Sequence, residues 1–135
     1  MSDASTIERL TREREKTLKE IERLRALLQE EIEPSSATDD DSADTAAAIY
    51  ERSKVLSLIA NLEERVHALE HALELAQEGR YGFCESCGKP IAPERLEIMP
   101  EATLCVHCAS RQEEELRRRT IISSRRRRQI EIPEE

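Results

Sequence analysis

Four cysteines in two matched pairs constrain this chain more than any other feature: Cys84-x2-Cys87, seventeen intervening residues, then Cys105-x2-Cys108. Two residues between cysteines let both sulfurs of a knuckle reach one ion in tetrahedral geometry, and Gly88 suits the tight turn that follows. The spacing falls in the window for a four-thiolate zinc site. Four thiolates leave no position open for water, so the zinc is expected to be structural, with Cys84, Cys87, Cys105 and Cys108 as its ligands. His107 could stand in for Cys105 or Cys108, but the paired cysteines already complete the shell. Redox-active vicinal thiols or free cysteines would leave the matching of the two pairs unexplained.

A metal reading of cysteines belongs to a reducing compartment. No apolar run approaches the length of a membrane span, and Met1 to Leu10 lack the basic and then apolar layout of a signal peptide. The expected location is therefore the cytoplasm, with no membrane association.

The 135 residues include one Phe, two Tyr and no Trp, too few bulky side chains for a deep globular core. Charged residues make up 37% and the net charge is -8, which favours extended amphipathic helices and argues against indiscriminate nucleic-acid binding by the whole chain. Seam positions recur in steps of three and four through Ile7, Leu10, Arg14, Thr17, Ile21, Leu24 and Leu28. Ser5 and Glu8 match a capping box and predict a helix start there. A second seam runs through Ala48, Arg52, Val55, Ile59, Leu62, Val66, Leu69, Leu73 and Ala76, and Gly79 predicts its end. Between the seams, Pro34 to Asp41 is breaker-rich and acidic, the composition of a turn. Folding there places Leu28 near Arg52 and Ile7 near Leu73.

The expected fold is mostly α: a long antiparallel helical hairpin, or coiled coil, with a small four-Cys zinc finger at its base and a C-terminal helix. The expected domains are the hairpin over 4–78 with an acidic tip at 34–46, the finger over 79–109, and a helix and basic tail over 110–135. Helix-like composition runs from Ser110 to about Ile122, and the last dozen residues are expected to lack order.

The run Tyr81-Gly82-Phe83-Cys84-Glu85-Ser86-Cys87-Gly88, followed by Ile91, Arg95-Leu96, Pro100, Leu104-Cys105 and Cys108, resembles the zinc finger of the bacterial DksA/TraR proteins. Asp41, Asp44 and Ala46 reproduce the Asp-x-x-Asp-x-Ala pattern of that family's coiled-coil tip. The resemblance implies a transcription regulator that binds bacterial RNA polymerase. Its hairpin would enter the secondary channel, Asp41 and Asp44 would modulate initiation near the catalytic centre, and Ala46 would help seat the tip. The zinc finger would dock outside the channel. The chain resembles a short form, since its first helix starts almost at Met1. Positions at which family members carry basic residues for the alarmone ppGpp are Ala68 and Ala109 here, so a response to ppGpp is not implied.

Plainer readings compete with each motif. Asp41 could cap the second helix and Asp44 sit in its first turn, needing no partner. His67-Ala68-Leu69-Glu70-His71 has the His-x-x-Glu-His order of one metalloprotease class. The heptad puts both histidines on outer positions, so no catalytic residues, and no enzyme, are expected. Arg117, Arg118 and Arg119 with Arg125, Arg126, Arg127 and Arg128 are a solvated helix end or a weak nucleic-acid contact. The main alternative function is a zinc-stabilised coiled-coil adaptor or nucleic-acid-binding protein using that segment. A monomer is expected.

Overall fold

Two seams of matching length must bury each other, and they do so in the first of two compact units, Met1–Tyr81 and Gly82–Glu135. The computed structural model describes residues 4–31 and 42–130. Helix α1 is Ala4–Glu31 and α2 is Ser42–Gln77; the second unit holds α3, Pro93–Ile98, and α4, Val106–Ile130.

Within the first unit the ion pairs give the direction of pairing. Arg14 reaches Glu70 at 2.8 Å and Arg25 reaches Glu63 at 2.7 Å, so partner numbers fall along α2 as they rise along α1. The helices are antiparallel. Every buried residue of α1 lies on its seam: Leu10, Thr17, Ile21, Leu24 and Leu28. Thr17 is tolerated there because its hydroxyl donates to the Glu13 carbonyl, 2.7 Å away, which removes the cost of an unpaired polar group. Two apolar clusters result. Ile21, Leu24 and Leu28 pack with Ile59 and Val66, flanked by Val55 and Leu62; Leu10 packs with Leu69, Ala72 and Ala76, flanked by Ile7, Leu73 and Tyr81.

The structure amends the expected seams and ends. Leu28 clusters with Val55 and Ile59, whereas Arg52 and Ala48 are exposed, so the seam of α2 is buried from Val55 onward. Ala72 and Leu75 are buried although neither is a seam position, and Ala72 packs in the cluster of Leu10, Leu69 and Ala76 that Tyr81 flanks. Helix α1 begins at Ala4, ahead of Ser5. Glu8 is therefore a helix-surface residue, 3.5 Å from Arg12 one turn on, rather than half of a capping box.

The stop at Gly79 has a full hydrogen-bond account. The Gly79 N–H donates to the Ala76 carbonyl at 3.2 Å and the Arg80 N–H to the Leu75 carbonyl at 2.8 Å. This is the Schellman pair, and it needs the left-handed φ of 76° that glycine adopts without strain.

Helix α4 is longer than the expected 110–122 at both ends. At its start the Ala109 N–H donates to the Cys105 carbonyl, 2.9 Å away, so the second knuckle is itself the first helical turn. At its end no Gly or Pro interrupts the Arg-rich run before Pro133, and arginine is a good helix former. The part of the terminal dozen up to Ile130 is thus helical, and 131–135 lie outside the described residues.

Candidate metal centre

The second unit is organised around the cysteines. The first pair sits on a tight reversal in which the Cys84 N–H donates to the Lys89 carbonyl at 2.8 Å and the Gly88 N–H to the Cys84 carbonyl at 2.9 Å. Gly88 turns the chain at φ 77°, a conformation costly for residues with a Cβ. An antiparallel bridge between Phe83 and Pro90 and a bond from the Ile91 N–H to the Gly82 carbonyl close the reversal.

Two contacts bring the second pair to the first. The Glu85 N–H donates to the Thr103 carbonyl at 2.9 Å, and the Arg95 Nε donates to the Leu104 carbonyl at 3.0 Å. Arg95 belongs to α3, whose start is set by Pro93 in the first turn, where the missing N–H costs nothing. Cys84, Ile91 and Cys108 form a small buried cluster with Leu96, Leu104 and Cys105 against it. Cys84 and Cys108 are buried among these apolar residues, whereas Cys87 is exposed.

The four sulfurs all lie within 4.8 Å of one another, and those of Cys87 and Cys105 are 3.9 Å apart. Thiolates at a Zn–S distance of 2.3 Å in a tetrahedron are separated by about 3.8 Å. The donor set therefore fits a single tetrahedral ion. His107 is exposed and stands outside the cluster.

The backbone is arranged for negative charge. The Cys105 N–H, and after it the Cys87 N–H, hold the Cys84 thiol down from 9.0 to about 6. The Cys108 N–H likewise lowers Cys105. Cys108 is pushed the other way, to about 12, chiefly by the neighbouring Cys105 sulfur. Protein dipoles alone thus stabilise part of the thiolate charge, and a dication is what allows all four to ionise together.

The residues of the acidic tip pattern and the histidine pair belong to the first unit, and the arginines of α4 to the second. Asp44 is in the first turn of α2, and Asp44 and Ala46 are both exposed; Asp41 lies outside the described residues. His67 and His71 sit on the outer side of α2, 3.6 Å from Glu70 and 3.9 Å from Glu74 respectively. Sequence reasoning passed over Ile49 and Tyr50, which are 61% and 67% exposed little more than a turn beyond Asp44. Their signal was an apolar run, Ala46 to Tyr50, that does not follow the heptad. It also missed the part Arg95 plays in holding the second pair.

Comparison with known proteins agrees with this geometry. Residues 79–114 match the family model described as the prokaryotic dksA/traR C4-type zinc finger. The chain is 32% identical over 100 residues to the RNA polymerase-binding transcription factor DksA of Caulobacter vibrioides, covering 74% of this chain and 68% of that protein. It is 40% identical over 76 residues to the Bacillus subtilis protein YteA, a match that takes in 56% of this chain and only 32% of YteA. The transcription factor DksA2 from Pseudomonas aeruginosa superimposes with a TM-score of 0.65 at 29% identity, covering 86% of this chain and 89% of that one. The C4 pattern and the sulfur geometry together give the chain one structural zinc. With a finger of this type, a paired-helix unit like that of its structural neighbour and a DksA relative aligned over most of both sequences, this chain belongs to the DksA/TraR family.

Proposed function

We propose that the chain is a transcription regulator that binds bacterial RNA polymerase by inserting its helical hairpin into the secondary channel. The observation that carries this reading is the exposed first turn of α2, which bears Asp44 and Ala46 of the family's tip pattern. Similarity to a protein named for polymerase binding, over 74% of this chain, supports it. In this proposal Asp41 and Asp44 bring negative charge near the catalytic centre and alter how open promoter complexes form and decay. Ala46 lets the tip approach closely. Cys84, Cys87, Cys105 and Cys108 each ligate the zinc, which cross-links the finger and takes no part in chemistry, and the finger docks outside the channel.

Ala68 and Ala109 offer no cation for a ppGpp phosphate, so the effect on transcription is expected to be the same with and without the nucleotide.

The test is a pull-down with purified RNA polymerase, with and without a secondary-channel competitor, beside in vitro transcription with Asp44→Asn. Competed binding together with a variant that binds but has no transcriptional effect is the expected result. Uncompeted binding, or an Asp44→Asn protein of full activity, would overturn the reading in favour of an adaptor that does not act at the catalytic centre.

A further inference from the structure

The charge of α4 is sorted along its length. After Arg111 come Glu113, Glu114 and Glu115, and between Leu116 and Ile130 there are seven arginines and no carboxylate. Taking those seven away from the net charge of -8 leaves -15 on the rest of the chain. Helix α1 treats its basic residues differently: Arg12 has Glu8 at 3.5 Å and Arg23 has Glu20 at 2.6 Å on the same helix. Among the described residues of α4, Arg119 pairs with Glu115 at 3.2 Å.

A favourable helix dipole does not explain this segregation. It acts over the last turn, whereas Arg117, Arg118 and Arg119 lie about three turns from Ile130. An apolar partner does not explain the exposure either. Leu116, Ile121 and Ile122 are 56%, 48% and 52% exposed, yet they are spread at roughly 100 to 140° intervals around the axis and form no stripe. Every residue from Ser110 to Arg126 is exposed.

What the distal segment does carry is uninterrupted positive charge. Arg118 and Arg125 lie seven residues apart on one face, with Arg119 and Arg126 next to them, a line about 12 Å long at 1.5 Å per residue. That length matches three to four base pairs, at about 3.4 Å each. Single-stranded nucleic acid is normally held by aromatic stacking platforms, and α4 contains no Phe, Tyr or Trp. We propose that the distal half of α4 is an arm that lies along the phosphate backbone of duplex DNA without reading its sequence.

The arm requires no polymerase, and its test contains none, so it stands or falls apart from the secondary-channel reading. Zinc-loaded full-length protein is titrated into a fluorescent 30-base-pair duplex, and anisotropy is followed at several salt concentrations. Contacts from about four arginines give a log–log salt slope of about -3.6, so affinity falls about 150-fold between 50 and 200 mM salt. R118Q/R119Q/R125Q/R126Q keeps helix-forming side chains and is expected to lose most of the binding and of the slope, with zinc content and helicity unchanged. R12Q/K16Q on α1 is expected to bind as the unaltered chain does. A flat salt dependence of the unaltered chain overturns the proposal without recourse to any variant. So does a folded quadruple variant that binds equally well, or tighter binding to single-stranded RNA with the same number of phosphates.

Discussion

Among the described residues, Leu10 and Leu69 are the largest side chains to be wholly buried, and both belong to the cluster closed by Ala72 and Ala76. Two small residues let the helices approach, so truncating a leucine there leaves a hole that its neighbours cannot fill. Leu69→Ala is expected to destabilise the hairpin by about 2–5 kcal/mol. Leu56→Ala, on the same helix at a position 48% exposed, is expected to change stability by less than about 0.5 kcal/mol. Thermal unfolding of the two variants beside the parent checks the contrast. Asp44 is the opposite kind of residue. Its place in the first turn of α2 contributes about 0.3–1 kcal/mol through the helix dipole, so Asp44→Asn should keep the fold while removing the charge. Near-parental melting is what makes loss of activity in that variant interpretable.

At the scale of helices, register is written twice, in the apolar seam and in charge. Arg14 donates through both Nε and Nη2 to Glu70, at 3.0 and 2.8 Å, and Arg65 stands 3.4 Å from Glu13. These groups are about two-fifths exposed or less, so screening keeps the Arg14–Glu70 pair near 0.5–1 kcal/mol. Arg14→Glu is expected to lower the melting temperature by placing two carboxylates face to face, and Arg14→Glu with Glu70→Arg to recover most of the loss. A double variant no better than the single one would show that the pair has no part in register. The buried face of α1 was legible in the heptad because, over that stretch, one partner helix determines burial. The heptad became a poorer guide where other constraints entered. Ala72 is buried in the cluster that Tyr81 flanks, and nothing in a three-four rhythm announces a third partner. The start of α4 was hidden for a related reason, since Cys105 and Cys108 read as a loop knuckle while their backbone already forms a helical turn. The four sulfurs were legible from spacing alone, but the Arg95 bond to the Leu104 carbonyl depends on a tertiary approach that spacing does not encode.

For the whole molecule, the consequence of zinc loss follows from where each core lies. The two apolar clusters of the hairpin are drawn entirely from residues up to Tyr81, whereas the small cluster of the second unit includes three of the four cysteines. Removing the ion deprives that second cluster of its cross-link. Structural zinc in small sites contributes about 10–16 kcal/mol of apparent folding free energy, more than Ile91, Leu96 and Leu104 could replace. Chelation is therefore expected to abolish protection of amides such as Cys84, Gly88 and Ile91 in hydrogen exchange while α1 and α2 remain helical by circular dichroism. Acid should act in the same direction. Each ligand must lose its proton to bind, and Cys108, held up to about 12 without the cation, keeps its proton at neutral pH until metal displaces it. Zinc affinity should thus weaken as pH falls, and loading at neutral pH should release protons, seen calorimetrically as a heat that varies with the buffer's ionisation enthalpy. Exchange protection that survives verified zinc loss, or a loading heat independent of buffer, would mean that the second unit is held by its apolar contacts rather than by the metal.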